Sequence, residues 1–254
     1  MKMTGNTVLI TGGGSGIGRG LAEALHQRGN QVIIAGRRKS LLEQVTAANP
    51  GMEAIELDIT DPERLAHVAK TIVAERPEVN VLINNSGIMQ VDDVSGVLDD
   101  KVLRSTVETN LYGPIRMTSA LVEHLKAKPE AAVINVTSGL AFTPLAMTAV
   151  YSATKAAIHS YTLSLRFKLR NTSVKVLELA PPYVQTELMG DHQKQDPRAM
   201  PLDAFIAETM DLLAGDADEI LVKRVIPLRT SVGPHEVKSV TERNQLMEEA
   251  FSGR

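Results

Sequence analysis

The sequence predicts an α/β fold in which one doubly wound parallel sheet carries helices on both faces. Three observations lead there. Short β-branched runs, apolar on both faces, alternate with longer segments of helical period, the pattern of a parallel sheet covered on two sides. The first run ends in a glycine-rich turn that opens a helix. The chain has 254 residues, 43% hydrophobic and 22% charged, the length and balance of one large α/β domain. With 3% aromatic residues and no Trp, its core is left to Val, Ile, Leu, Ala and Met.

Thr7 to Thr11 reads as a buried strand, followed by the glycine turn and a helix from Gly16 to about Arg28. Gly29-Asn30 stops that helix, since both residues tolerate the left-handed conformation. A strand from Gln31 to Ala35 and a helix from Ser40 to about Ala48 follow, closed by Asn49-Pro50-Gly51. After a third strand, Glu53 to Leu57, Asp61-Pro62 forms an N-cap with proline at the first helical position, opening a helix to Glu75. The rhythm continues with strand Val81–Asn84, a long helix from about Lys101 to Lys126, strand Ala132–Val136, a helix from Tyr151 to Asn171 and strand Val174–Leu179. Pro181-Pro182 breaks it. Thr186 to Met200 is polar and proline-containing, as a mobile loop would be, and residues 186–215 form the expected substrate-loop region of a single domain spanning 1–254. A helix from Leu202 to Ala214, a short strand Glu219–Val222 and a terminal helix Glu236–Phe251 complete the reading, with Val237, Val240, Met247 and Phe251 near one face of the last.

Several function classes are excluded or made poor bets. The absence of cysteine rules out disulfides, thiolate nucleophiles and thiolate-bound zinc. Six scattered histidines form no His-x-x-x-His pair, so no metal is expected. A net charge of -3 argues against nucleic acid or an acidic membrane as partner. The first residues enter a strand with no secretory signal, and no apolar run is long enough to span a bilayer, so a cytoplasmic location is expected.

Thr11-Gly12-Gly13-Gly14-Ser15-Gly16-Ile17-Gly18 sits between the first strand and first helix. Glycines there let the backbone approach a pyrophosphate, whose charge meets the helix N-terminus. In isolation the same glycines would suit a flexible surface loop; strand before and helix after favour the phosphate reading. With Thr-Gly-x-x-x-Gly-Ile-Gly spacing, the chain resembles the short-chain dehydrogenase/reductase family, a Rossmann-type fold, from the first strand through Thr186. Gly36-Arg37-Arg38 and Ala180-Pro181-Pro182 look most like the subgroup called DltE-like oxidoreductases. By that resemblance Gly12, Gly14, Ser15, Gly16, Ile17 and Gly18 contact a dinucleotide.

After the second strand an acidic residue would bind the ribose 2′-hydroxyl; here Gly36 takes that place and Arg37 follows. A guanidinium suits a 2′-phosphate, so NADP(H) is favoured and NAD(H) left open, the alternative being a solvated arginine pair. The resemblance assigns Asp58 and Ile59 to the adenine, although Asp58 serves equally well as a cap for the next turn. It assigns Asn84, Ser86 and Gly87 to the cofactor border, Ser86 standing where the family has Ala.

Tyr151-Ser152-Ala153-Thr154-Lys155 puts Tyr151 and Lys155 one helical turn apart on one face. A nearby ammonium would lower the phenol's pKa from about 10 toward working pH. Such spacing also arises by chance on surface helices, but Ser138 lies thirteen positions earlier, at a strand's carboxyl end where ligand sites form. The resemblance makes Asn110, Ser138, Tyr151 and Lys155 a catalytic tetrad: Ser138 holds the substrate oxygen, Tyr151 exchanges the proton, Lys155 also holds the nicotinamide ribose and Asn110 kinks its helix and anchors a water. Val184 and Thr186 would meet the nicotinamide carboxamide, with Pro182 departing from the family's glycine.

Leu140, Phe142, Thr143, Pro144, Met147, Tyr183, Leu188 and Met189 surround the inferred site with no Arg or Lys placed to clamp an anion, which points to hydrophobic ketones or aldehydes. Arg198 and His192 in the loop could recognise charge, although such residues are more often solvated. The expected function is therefore hydride transfer between NADP(H) and a small alcohol or carbonyl compound by a homo-oligomer. A 3-oxoacyl-thioester reductase and a redox sensor without turnover are the alternatives.

Overall fold

A computed structural model describes residues 1–252, with the side chains of Phe251 and Ser252 outside the described set. Seven parallel strands form one sheet in the order β3-β2-β1-β4-β5-β6-β7: β1 (Thr7–Thr11), β2 (Gln31–Gly36), β3 (Glu53–Glu56), β4 (Val79–Asn84), β5 (Ala131–Val136), β6 (Val174–Leu179) and β7 (Glu219–Ile220). The predicted doubly wound, Rossmann-type α/β architecture is what the chain adopts. The winding reverses between β1 and β4, which are paired from Thr7–Val79 to Ile10–Ile83, so a crevice opens beyond their carboxyl ends.

Strand side chains alternate between two cores, as a pleat requires. Val8 and Ile10 join one with Leu21, Leu25, Phe205 and Met210 from α1 (Gly16–His26) and α8 (Leu202–Leu213). Leu9 joins the other with Leu65, Ile72, Met117 and Leu121 from α3 (Pro62–Glu75) and α5 (Gly113–Lys126). The edge strand β3 departs from the apolar-on-both-faces pattern, being largely exposed. At the N-terminus of α3, Asp61 accepts from the Arg64 amide with Pro62 just inside, the cap the sequence foretold.

Several details differ from expectation, most of them by one or two residues at an element's end. The long helix at 101–126 is α4 (Asp100–Val107) and α5 joined through one π-helical turn, Glu108–Tyr112, which contains Asn110. Helix α6 (Ala149–Leu169) starts two residues before Tyr151, because the Asp92 carboxylate accepts from the Ala149 and Val150 amides at 3.0 and 2.9 Å. Strand β7 has only two residues, although Val222 beyond it is fully buried. In α10 (Glu236–Ser252) Val240 and Met247 are half-buried but Val237 is 81% exposed, so the expected apolar face is shorter.

The segment 186–200 is built rather than loose. It holds the short helix α7 (Asp191–Lys194), and Val184 bridges Met200 in parallel. The buried Gln193 side chain donates to Val184 O at 2.7 Å and Thr186 Oγ1 at 3.1 Å. A five-residue helix, α9 (Ile226–Thr230), precedes α10, and α2 (Lys39–Ala48) covers β2 and β3. No helix among the described residues is long and apolar enough to cross a membrane.

Candidate functional site

At the end of β1 the chain turns through Gly12 (φ 70°) and Gly16 (φ 51°), conformations that a β-carbon disfavours. A β-carbon on Gly18 would lie 2.3 Å from Gly12 O and from Asn85 Nδ2, so α1 packs directly on the turn. Thr11 Oγ1 accepts from the Asn85 and Ser86 amides, and Asn85 Nδ2 donates back to Thr11 O and Gly12 O. The β1 and β4 ends are thus laced together across the switch point.

Ser15 occupies the N-cap of α1, yet its side chain caps no amide and the first turn has no acidic residue. The helix therefore turns amide donors and a positive dipole end toward the crevice, an arrangement suited to a pyrophosphate. Arg38 Nη2 donates to Ser15 Oγ at 2.7 Å, which sets a guanidinium on the same rim. Arg37 lies 3.9 Å from Asp58. Sequence reading chose Arg37; Arg38 lines the crevice beside it and was missed because only the contact with Ser15 shows where it points.

The crevice is a groove of about 400 Å³. Gly12, Gly14, Ser15, Gly16, Ile17 and Gly18 line its centre, and Arg37, Asp58 and Ile59 one end. Ser86 and Gly87 form its floor, while Ser138, Tyr151, Lys155, Val184 and Thr186 line the other end. Asp58 Oδ1 accepts from the Thr60 amide and hydroxyl at 2.9 and 2.8 Å, so the capping role exists alongside its place in the groove. Two predicted residues do not line it. The Asn84 side chain turns into the sheet, donating to Thr118 Oγ1 and Asn135 Oδ1, both at 2.9 Å, and its neighbour Asn85 lines the groove instead. Asn110 stands behind the wall: it exchanges two hydrogen bonds with the Ile88 backbone, at 2.8 and 2.9 Å, tying the π turn to the segment after β4.

Ser138, Tyr151 and Lys155 converge where the groove ends. All three are buried. Lys155 Nζ donates to Val136 O at 2.9 Å and lies 5.6 Å from the Tyr151 ring centre. A β-carbon on Gly87 would sit 3.5 Å from both that ammonium and Asn110 Oδ1, so the glycine leaves the space open between them. Burial pushes the Tyr151 phenol up to about 12, with hydrogen bonding by Ser138 pulling the other way. Burial likewise pulls Lys155 down to about 8. The expected lowering of the phenol by the ammonium is thus not found in the protein alone: desolvation dominates, and the Ser138 hydrogen bond is what opposes it.

A second cavity, about 450 Å³, opens beside Ser138 and Tyr151 and shares them, Pro181, Pro182, Leu188 and Gln193 with the groove. Leu140, Met147, Tyr183, Leu188 and Met189 line it as expected, but Phe142, Thr143 and Pro144 do not. Phe142 faces away, edge-on to His159 with ring centres 5.1 Å apart, and Thr143 bonds Leu228 O and Ser231. The expectation that no basic residue stands there is corrected: α10 folds back and brings Arg243 and Met247 into the lining. Arg198 and His192 line it too, Arg198 paired with Asp196 at 2.7 Å.

The histidines are also less isolated than their spacing suggested. His159, Glu178 and Glu219 present ligand atoms within 4.8 Å of one another. The wholly buried Glu178 accepts from Thr137 Oγ1 at 2.7 Å and bonds His159 Nδ1 at 2.8 Å, while Arg229 forks onto Glu219 at 2.8 and 3.1 Å. Arg229 supplies the cluster's positive charge, so the group reads as an internal ion network behind Ser138.

Residues 6–197 match the family model described as short chain dehydrogenase. The chain is 41% identical over 233 residues to an uncharacterized oxidoreductase, DltE, of Bacillus subtilis, covering 90% of this chain and 92% of that protein. Among solved structures, a short chain dehydrogenase from Burkholderia cenocepacia in complex with NADP superimposes with a TM-score of 0.83 at 28% identity, covering 96% and 99% of the two chains. A 3-ketoacyl-(acyl-carrier-protein) reductase from Brucella melitensis complexed with NADH gives 0.78 at 26% identity, covering 89% and 100%.

Proposed function

The chain belongs to the short chain dehydrogenase family and is an oxidoreductase; we propose that it moves a hydride between NADP(H) and an alcohol or carbonyl carbon, with Tyr151 exchanging the proton. The observation that carries this reading is the junction at Ser138 and Tyr151, where the nucleotide-sized groove and the largely apolar cavity share a wall. One domain would serve both, since the two openings meet on the same sheet end.

When bound, the nicotinamide supplies or accepts the hydride. The glycine turn and the α1 amides hold the pyrophosphate, Arg38 with Arg37 takes the 2′-phosphate, and Val184 and Thr186 border the nicotinamide end. Gly36, in place of an acid after β2, and the NADP of the Burkholderia relative both support NADP(H); the NADH of the Brucella relative keeps NAD(H) as the comparison to run. In reduction Ser138 holds the carbonyl oxygen while that oxygen takes the Tyr151 proton as carbon takes hydride, leaving an alcohol. Burial keeps the phenol protonated at neutral pH and so ready to give that proton. Lys155 keeps a positive charge beside the phenolate that results, and Asn110 fixes the helix turn facing it. Exposed Leu103, Tyr112, Leu163 and Phe167 on α4, the π turn and α6 support pairing of subunits through these helices.

The test is titration of NADPH and NADH fluorescence, followed by NADPH oxidation over a panel of ketones and aldehydes. Micromolar NADPH binding with turnover abolished by Tyr151→Phe is expected. Binding of neither nucleotide overturns the proposal.

A further inference from the structure

From the cavity beside Tyr151 we infer that the substrate carries a carboxylate, held by Arg243 of the same cavity lining while Tyr151 meets the reacting carbonyl. This deepens the oxidoreductase reading and rests on it. Arg243 of α10 lines the cavity among Met89, Leu140, Leu145, Met147, Met189 and Met247, with His192, Gln193 and Arg198 as the cavity's other polar side chains beside Ser138 and the two tyrosines. Its Nε is buried and has no hydrogen-bond partner, and no acidic side chain among the described residues pairs with it. The half-buried side chain thus holds one buried donor among thioethers with no acceptor, which is costly unless a ligand supplies one. Desolvation accordingly holds Arg243 below the usual arginine range.

The placement is fixed rather than incidental. The adjacent Asn244 accepts from the Ala146 amide at 2.5 Å and donates to Pro144 O at 3.2 Å, pinning α10 to the segment that leads from Ser138 to α6. The other arginine at the cavity, Arg198, is already neutralised by Asp196. One uncompensated guanidinium matches one carboxylate, which its planar fork can grip with two parallel hydrogen bonds. The apolar walls between Tyr151 and Arg243 fit a hydrocarbon spacer. The substrate class is therefore an oxo acid or hydroxy acid whose carbonyl or alcohol and carboxylate are separated by an apolar chain, and not a neutral ketone.

Calorimetry with octanoate, methyl octanoate and octyl phosphate, on the chain alone and loaded with NADP+, reads the subsite without turnover. NADPH oxidation with 7-oxooctanoate against its methyl ester reads it in the reaction. Octanoate is expected to bind at least about tenfold tighter than the ester, the value of one charge-assisted fork. Arg243→Gln should bring acid and ester within about twofold of each other, and Arg243→Lys should keep part of the preference because it keeps the charge. Thermal melts of both variants check the fold. Equal binding of acid and ester by the wild type, or a preference that survives Arg243→Gln, overturns the inference, and tighter binding of octyl phosphate overturns the choice of carboxylate. Turnover of 2-octanone equal to that of the oxo acid would sink this subsite while leaving the oxidoreductase reading intact. Carboxylate binding without nucleotide binding would do the reverse.

Discussion

Lys155 holds its charge inside the protein at a cost that can be measured. Burial brings it down to about 8 from 10.5 in a free lysine. Each tenfold change in acidity is worth about 1.4 kcal/mol, so carrying the ammonium at pH 7 costs the folded chain about 3 kcal/mol. Between pH 8 and 10.5 the unfolded chain binds this proton and the folded chain does not, so the Lys155 contribution to stability rises with pH through that window. Lys155→Met keeps the apolar stem and removes the titration. The stability of the variant relative to wild type should therefore fall by about 2 kcal/mol between pH 7 and pH 10, or roughly 5 °C in relative melting temperature for a chain of this size. Thermal or urea unfolding of both chains at pH 7, 8.5 and 10 measures it. Tyr151, with its phenol raised to about 12, makes both chains less stable above pH 10, and its effect cancels in the difference. An offset that stays constant with pH would refute the claim that desolvation dominates at Lys155.

Three other outcomes are expected. Asp92→Ala removes the carboxylate that caps α6 and should lower stability by about 1–2 kcal/mol in urea unfolding, with a loss of kcat exceeding any change in NADPH affinity, because Tyr151 and Lys155 ride on that helix. Gly18→Ala forces a β-carbon against Gly12 O, and nucleotide titration should show NADPH binding weakened at least about tenfold alongside a stability loss of about 1–3 kcal/mol. Arg38→Leu should raise the NADPH Kd about tenfold and move the NADH Kd by less than about twofold; equal losses for both nucleotides would assign Arg38 to the pyrophosphate instead.

The parts of the fold that repeat a simple local rule were legible in the sequence. Val8, Leu9 and Ile10 announce a strand by being apolar on both faces, and Asp61-Pro62 announces a helix by its capping chemistry. The groove residues from Gly12 to Gly18 were legible because their spacing relative to β1 and α1 is local. What escaped depends on contacts distant in the chain. Asn84 and Asn85 are neighbours with opposite destinations, and nothing in Asn-Asn-Ser-Gly says which one turns to the crevice. Gln193 reads as a polar loop residue until its amide is seen bridging Val184 and Thr186. His159, Glu178 and Glu219 meet only because α6 packs on β6 and β6 pairs with β7, and Arg243 reaches the cavity only because Asn244 docks α10 about a hundred residues back along the chain.

Every residue that lines the groove lies at or before Gln193, whereas the cavity beside it also draws on Arg198, Leu228, Arg243 and Met247. The groove lining is thus complete before the last helices are reached, while the cavity, begun by residues from Met89 to Gln193, is finished by them. Substitutions after Gln193 can therefore reshape the cavity while the lining of the groove stays as it is. A protease that trimmed α10 would leave the groove lining intact and take away the part of the cavity wall made by Arg243 and Met247.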